Sequence, residues 1–404
     1  MIQRFIINSK SKLFIDFFIY LIPFAIIAGP TPLNLISFAV SIIFIFLIFK
    51  HKKYYQFKKY FIFLFFLILF FSINLLYSID PYLSLLSILG VIRYYIMFLA
   101  IIYSFNNIDN FRYNFTRILF LGVLFVIFDS YIQYFFHQDI FGYPISGNRL
   151  TGPFRTEEVV GAYITKLIFL SFGFLMLKKI NIRYIYAIAL GAFVLIVLSN
   201  ERSSSIMFLL SLILLFIFSS VRPLIKLSLL SSILIFLFLI FNYSNIFKER
   251  FVNEPTKYYK DNHHKAHFLT AIEIFKNNKI TGSGIKTFRV ECHKSEYANI
   301  NSIYFEHRCT THPHNFYLEV LSETGILGIA ILLILNLYIF LQLVRNFWDK
   351  KEQRNEILFI FCNFVILFWP LQTTGSFFSS WNGVFFWIFF AFFFDLQSRL
   401  AKPV

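Results

Sequence analysis

The tetrapeptide His312-Pro313-His314-Asn315 stands directly before a long apolar run, with Glu323-Thr324-Gly325 just beyond it. In an extended segment residues two apart point to the same side, so both imidazoles can face one site. Two chemistries use such a pair. One is a metal site, with Cys309, His264 or His267 completing the ligand set. Neither HExxH nor DxD occurs in the chain and the spacing matches no zinc signature, which counts against this reading. The other is general-base catalysis: an imidazole with a pKa of about 6.5 can take a proton from a hydroxyl at neutral pH. A structural role, capping the next helix, suits one of the two histidines better than both.

Three further polar segments carry positive charge beside apolar runs. In Asn148-Arg149-Leu150-Thr151-Gly152-Pro153-Phe154-Arg155-Thr156-Glu157-Glu158, Gly and Pro mark a turn. The helix dipole alone would favour Glu157 and Glu158 at the head of the next helix, but it does not account for Arg149 and Arg155. Arg202 lies between two closely spaced apolar runs. Pairing with Glu201 or snorkelling to headgroups is its bland explanation, and charge this close to a membrane argues for function. The third segment, Thr281 to Arg289, joins a Gly282-Ser283-Gly284 turn to Lys286 and Arg289, an arrangement suited to phosphate. It lacks both the dinucleotide fingerprint and the P-loop, so nucleotide binding is excluded. Guanidinium binds phosphate through two parallel hydrogen bonds and keeps its charge. A base beside such clamps, with no nucleotide motif, points to group transfer from a lipid-linked phosphate or diphosphate to a hydroxyl. Such a leaving group is already good, so the enzyme must mainly hold its developing charge and activate the acceptor.

The elements that position these residues are membrane helices. Of 404 residues 58% are hydrophobic and only 14% charged, far too apolar for a soluble domain. Runs able to cross a hydrocarbon core of about 30 Å recur near 13–28, 33–49, 60–77, 83–104, 118–136, 159–177, 184–199, 204–219, 223–241, 322–344, 356–370 and 383–397. The expected fold class is an all-α polytopic membrane protein of about twelve transmembrane helices with one large periplasmic loop. It divides into an N-terminal bundle (1–241), the loop (242–315) and C-terminal helices (316–404). The short pair 184–199 and 204–219 is split by Asn200-Glu201-Arg202, charges that are costly at the centre of one helix. The 59 Phe residues reflect AT-rich codon bias and a need for apolar bulk, not an aromatic binding surface. No internal repeat of fixed period occurs, and an uncleaved first helix explains the basic, apolar start better than a signal peptide does.

The net charge of +16 is mostly topology. With both termini cytoplasmic, the inner segments hold Arg4, Lys10, Lys12, Lys50, Lys52, Lys53, Lys178, Lys179, Arg183, Arg345, Lys350 and Lys402, while the short outer loops hold only Arg149, Arg155 and Arg202. This is the positive-inside pattern and calls for no nucleic-acid partner. It places 129–158 and 242–315 together on the outer face. Cys292 and Cys309 fall in that outer loop, where an oxidising compartment permits a disulfide and two free thiols are the alternative. Cys362 lies in a span and packs. Arg93, within the fourth span, is either functional or paired inside the bundle.

These residues resemble the O-antigen ligase and O-antigen polymerase superfamily of bacterial envelope glycosyltransferases. The resemblance rests on Arg149 to Phe154 with Glu157, Glu158 and Gly161, on Arg202-Ser203-Ser204, on His267 to Ala271 and on Gly282 to Arg289. Its most specific piece is His314-Asn315 followed at a distance by Gly325. The resemblance implies a GT-C-like architecture in the bacterial inner membrane, working without cofactor or metal. It implies inverting transfer of an undecaprenyl-diphosphate-linked glycan to a lipid A-core hydroxyl on the periplasmic face, or to a growing chain in the polymerases. By position it makes His314 the base and Arg202 and Arg289 the diphosphate clamps. Arg149, Arg155, Lys286, His312 and Asn315 complete the expected substrate-binding set. An acid at position 201, beside a clamp, would weaken it unless turned away. The Trp-Trp-Asp signature of N-oligosaccharyltransferases is absent. A lipid-glycan flippase is the competing class, but a transporter would concentrate its polar groups at the midplane of paired halves.

Overall fold

The computed structural model describes residues 2–219, 221–257 and 261–401, with side chains from Phe14 onward. Lys402 and the side chains of Arg4, Lys10 and Lys12 therefore lie outside the described residues. The long helices are α1 (Ile2–Ala28), α2 (Pro30–Lys50), α3 (Lys58–Leu76), α4 (Pro81–Asn107), α5 (Phe111–Phe136), α6 (Val160–Leu177), α7 (Ile182–Leu198), α8 (Arg202–Phe218), α9 (Pro223–Tyr243), α10 (His263–Asn277), α11 (Phe316–Asp349), α12 (Arg354–Phe368) and α13 (Ser380–Leu400). All but α10 coincide with an apolar run of the sequence. The reason is solvation: in hydrocarbon every backbone N–H and C=O must be paired within the chain, and helices do this locally.

Among the described residues eight helices are long and apolar enough to cross a membrane, fewer than the twelve expected. The difference lies in four: α1, whose described side chains cover only Phe14–Ala28, and the short helices α7, α8 and α12. Helices α7 and α8 have 17 residues each and α12 has 15. At 1.5 Å per residue α12 spans only about 22 Å. It stops where Trp369-Pro370 breaks the helix, and Ile357 to Ile360 and Ile366 to Phe368 are buried, so its surroundings are protein more than lipid. Helix α9 is the opposite case, apolar with no fully buried residue: one side packs on α7, Phe236 against Phe193, and the rest is left to lipid.

Between apolar helices in lipid, contact comes from close packing and interhelical hydrogen bonds. Ser41 donates to the Arg93 carbonyl at 3.0 Å, and the Arg93 guanidinium donates to Asn34 Oδ1 at 2.6 Å. Arg93 thus has a partner inside the bundle. Lys166, on buried α6, donates to Asn382 at 2.6 Å and lies 4.9 Å from the ring centres of Trp381 and Phe385. One end of the bundle carries Arg112 paired to Asp395, Arg399 to Glu356 and Lys178 over Tyr113. The polar segments meet at the other end.

Candidate functional site at one end of the bundle

The site is organised by a break in α11. Gly325 has φ +66 and ψ −163, outside the helical region, and the segment 279–284 runs along the opened backbone. Ser283 N–H donates to the Ser322 carbonyl and Gly284 N–H to the Glu323 carbonyl, both at 3.0 Å, while Ile326 N–H donates to Lys279 O at 2.9 Å. The approach is so close that a Cβ on Gly282 (φ +73) would lie 2.2 Å from the Glu323 carbonyl carbon, which only glycine permits. The two glycines therefore serve chain packing, and two of the amides expected to meet a phosphate are already used.

Glu323 then shapes the adjoining turn. Its buried carboxylate accepts from Lys286 N at 2.6 Å and Phe288 N at 3.1 Å, curling the backbone that presents Lys286 and Arg289. Glu319, one turn earlier on α11, accepts from Ser376 Oγ at 2.5 Å and Phe377 N at 2.6 Å. A small separate core of Ala271, Ile274, Phe288, Cys292 and Tyr297 stabilises the loop. Cys292 and Cys309 are joined as a disulfide, with Cα atoms 5.3 Å apart.

The histidine motif is pinned from an unexpected quarter, the 369–379 segment between α12 and α13. Thr374 N–H donates to the His314 carbonyl at 2.8 Å, Thr374 Oγ1 accepts from Phe316 N at 3.0 Å, and the Thr374 carbonyl lies 3.2 Å from His312 Nε2. Asn315 caps α11, accepting from Tyr317 N and Leu318 N at 3.0 and 3.1 Å, and donates to the carbonyls of Pro370 and Gln372. Its polar atoms are thus engaged in positioning, and neither histidine makes the cap. His314 is held at φ +56, a left-handed conformation rare for a side-chain-bearing residue. Its ring lies 4.4 Å from His312, 5.1 Å from His264 and 5.3 Å from His267, centre to centre.

The arginines surround this cluster. Arg202, at the start of α8, contacts Glu254 at 3.4 Å and the Arg250 carbonyl at 3.4 Å. Glu201 is turned away from it: its buried carboxylate accepts from Gly161 N at 2.5 Å, Ala162 N at 3.0 Å and Ser204 Oγ at 3.0 Å, closing the N-terminus of α6. Ser203 donates to the Thr373 carbonyl at 3.1 Å, which ties the α7–α8 turn to the segment holding His314. Arg289 is half-buried, donates to Thr311 O at 3.3 Å, and keeps Nε without a partner among the described residues. Arg149 pairs with Glu158 and donates to its carbonyl at 3.0 Å. Arg155 stands exposed.

Electrostatics follow from burial among cations. Burial, with His312, His264 and His267 close by, pushes the His314 imidazole down to about 3. Burial and His264 take His267 down to about 4. His264 is lowered by burial and then by Arg202, His312 by burial and then by Arg289. Lys286 is lowered by burial and then by Arg289. The site is a nest of neutral imidazoles ringed by guanidiniums, able to receive an anion and accept a proton.

The structure brings His314, His312, Arg202, Arg289 and Lys286 together with His264 and His267, and places Arg149 on the adjoining loop. The sequence reading missed Thr374 and Glu319. The signal available for Thr374 was the polar run Gln372-Thr373-Thr374-Gly375-Ser376 between the last two apolar runs. Fold and site define an α-helical membrane protein with a polar centre at one end of its bundle. Residues 186–333 match the family model for O-antigen ligase, which supports a relationship of this part of the chain to the O-antigen ligase and polymerase superfamily. The class implied is a membrane glycosyltransferase-like enzyme whose substrate is a lipid-linked glycan. A comparison with curated proteins returned no match.

Proposed function

We propose that the protein is an O-antigen ligase, transferring a glycan from undecaprenyl diphosphate to a hydroxyl of lipid A-core on the periplasmic side of the inner membrane. The observation that carries this reading is His314, neutral and held by Thr374, within a cluster flanked by Arg202 and Arg289. His314 takes the proton of the acceptor hydroxyl, whose oxygen attacks the anomeric carbon from the face opposite the diphosphate. The glycosidic C–O bond breaks, its electron pair leaves with the diphosphate, and the anomeric configuration inverts. Arg202 and Arg289 hold the charge that develops on the leaving oxygen, with Lys286, Arg149 and Arg155 on the donor path. Binding the dianion also raises the basicity of His314, because a nearby negative charge favours imidazolium. The chemistry needs neither metal nor cofactor.

An apolar cavity of about 340 Å³ supports a lipid-linked donor. It is lined by Phe70, Phe71, Val320, Thr324, Gly328 and Phe378 among others, beside the Glu319–Phe377 contact, and can seat the first isoprenes. Ligase is favoured over polymerase by the ligase-like run from His267 to Gly328. Both termini are cytoplasmic in this reading, and 242–315 is periplasmic.

A deletion strain examined on a silver-stained lipopolysaccharide gel tests the proposal. Loss of a ligase leaves bare core while long glycan accumulates on undecaprenyl diphosphate. Core bearing a single repeat would make the protein a polymerase acting through the same site. Single repeats trapped on the cytoplasmic leaflet would make it a flippase and overturn the enzymatic reading.

A further inference from the structure

His264 and His267 lie one turn apart on α10, so both point from the same helix face. His314 meets them from the loop before α11. The three imidazoles each offer a ring nitrogen, and these nitrogens lie within 4.8 Å of one another. Nδ1 of His264 and Nδ1 of His267 are buried with no hydrogen-bond partner among the described residues. A buried ring nitrogen without a partner is costly unless something fills its lone pair. His267 is 7% exposed and its other nitrogen hydrogen-bonds the His307 backbone, the outer-shell support that orients a ligating imidazole. His312 is different: both its nitrogens are engaged, with Thr311 Oγ1 at 2.9 Å and Thr374 O at 3.2 Å.

The geometry points to a divalent transition-metal site on His264, His267 and His314, and we propose that zinc bound there blocks the enzyme by capping His314. Tetrahedral zinc with Zn–N bonds of about 2.0–2.1 Å needs nitrogens about 3.4 Å apart. Closing the remaining gap takes imidazole rotation about χ2, a soft torsion. Three ligands leave a fourth position for water. The ion must be one that seeks nitrogen. Arg202, close enough to His264 to lower it, opposes any cation held by charge alone, so oxygen-seeking magnesium and calcium are excluded. The binding stands on the three imidazoles themselves, whereas its effect on transfer rests on the reading of His314 as base.

The test uses the full-length protein, stripped with EDTA and held in nanodiscs. Zinc binding is measured by competition with a chromophoric chelator, and cobalt by its visible absorption bands. One equivalent of zinc binds the native protein, magnesium does not, and His264→Gln or His267→Gln each weakens binding by more than about tenfold. His293→Gln, which is not one of the three clustered histidines, leaves binding unchanged. In the glycan-transfer assay zinc inhibits, EDTA reverses the inhibition, and the inhibiting concentration rises in step with the lost affinity of the two variants. Absence of zinc binding, or equal binding by the variants, overturns the site. Zinc that restores rather than inhibits transfer by the stripped enzyme overturns the block. If the native protein transfers no glycan in any condition, the proposed function fails, and the binding measurements still decide the site.

Discussion

His314 and Thr374 are joined backbone to backbone: the Thr374 amide donates to the His314 carbonyl at 2.8 Å. They lie in different parts of the chain, one at the mouth of α11 and the other between α12 and α13. Through the Thr374 hydroxyl the same residue receives the Phe316 amide, so one threonine sets both the strained backbone of His314 and the first turn of the helix after it.

Thr374→Val keeps the amide and removes the hydroxyl acceptor. It leaves the Phe316 N–H unpaired, a loss of about 1–3 kcal/mol in stability. Transfer falls by about tenfold or more because small misplacements of a base are costly, while donor affinity is little changed. Thermal melts and transfer kinetics of the purified variant check this; transfer at the native rate would sever Thr374 from the placement of His314.

His314→Ala abolishes transfer and spares donor binding, since a neutral imidazole contributes little to holding a diphosphate. Arg202→Ala and Arg289→Ala weaken donor binding, and Lys at either position rescues only partly for want of the bidentate fork. Glu254→Gln releases Arg202 from its contact and modestly tightens donor binding, the contact being partly exposed and weak. Donor titrations on the purified variants separate these effects. Full activity of His314→Ala would end the mechanism.

Breaking the Cys292–Cys309 bridge frees the segment that enters the histidine motif. Closing 17 residues of chain restricts the unfolded ensemble by about 3 kcal/mol in the chain-entropy model. Cys292→Ser or Cys309→Ser therefore lowers the melting temperature of the loop, and limited proteolysis of 292–312 becomes faster. Mass spectrometry of non-reduced protein showing both as free thiols would remove the basis for this expectation.

Gly282→Ala sets a Cβ against the Glu323 backbone and forces a side chain into φ +73. The strain alone is about 1–3 kcal/mol, and a backbone clash adds to it. The variant is poorly expressed or melts well below the native protein. Gly191→Ala, where an added Cβ meets nothing within 4 Å, is the benign control.

Much of this protein is set by local properties of the chain. Membrane helices depend on runs of apolar residues, which are local, so each expected run became a helix. Hairpin turns such as Ser199-Asn200-Glu201 were equally legible, because charge between two apolar runs ends both. What His314, Arg202 and Arg289 are able to do, as distinct from the roles proposed for them, could be named from residue type, since imidazole and guanidinium have fixed capacities wherever they lie. Other features depended on chain-distant partners. The direction of Glu201, away from Arg202 and onto the amides of α6, depends on where α6 begins relative to α8. The use of Gly282 and Gly284 to pack against the opened α11, rather than to hold phosphate, depends on the break at Gly325. The length limit on α12 and the hold of Thr374 on His314 both arise from contacts between segments that are not neighbours in the chain. Periodicity and residue type carry no information about which of many polar groups will lie within 3 Å of one another; only the packed bundle decides it.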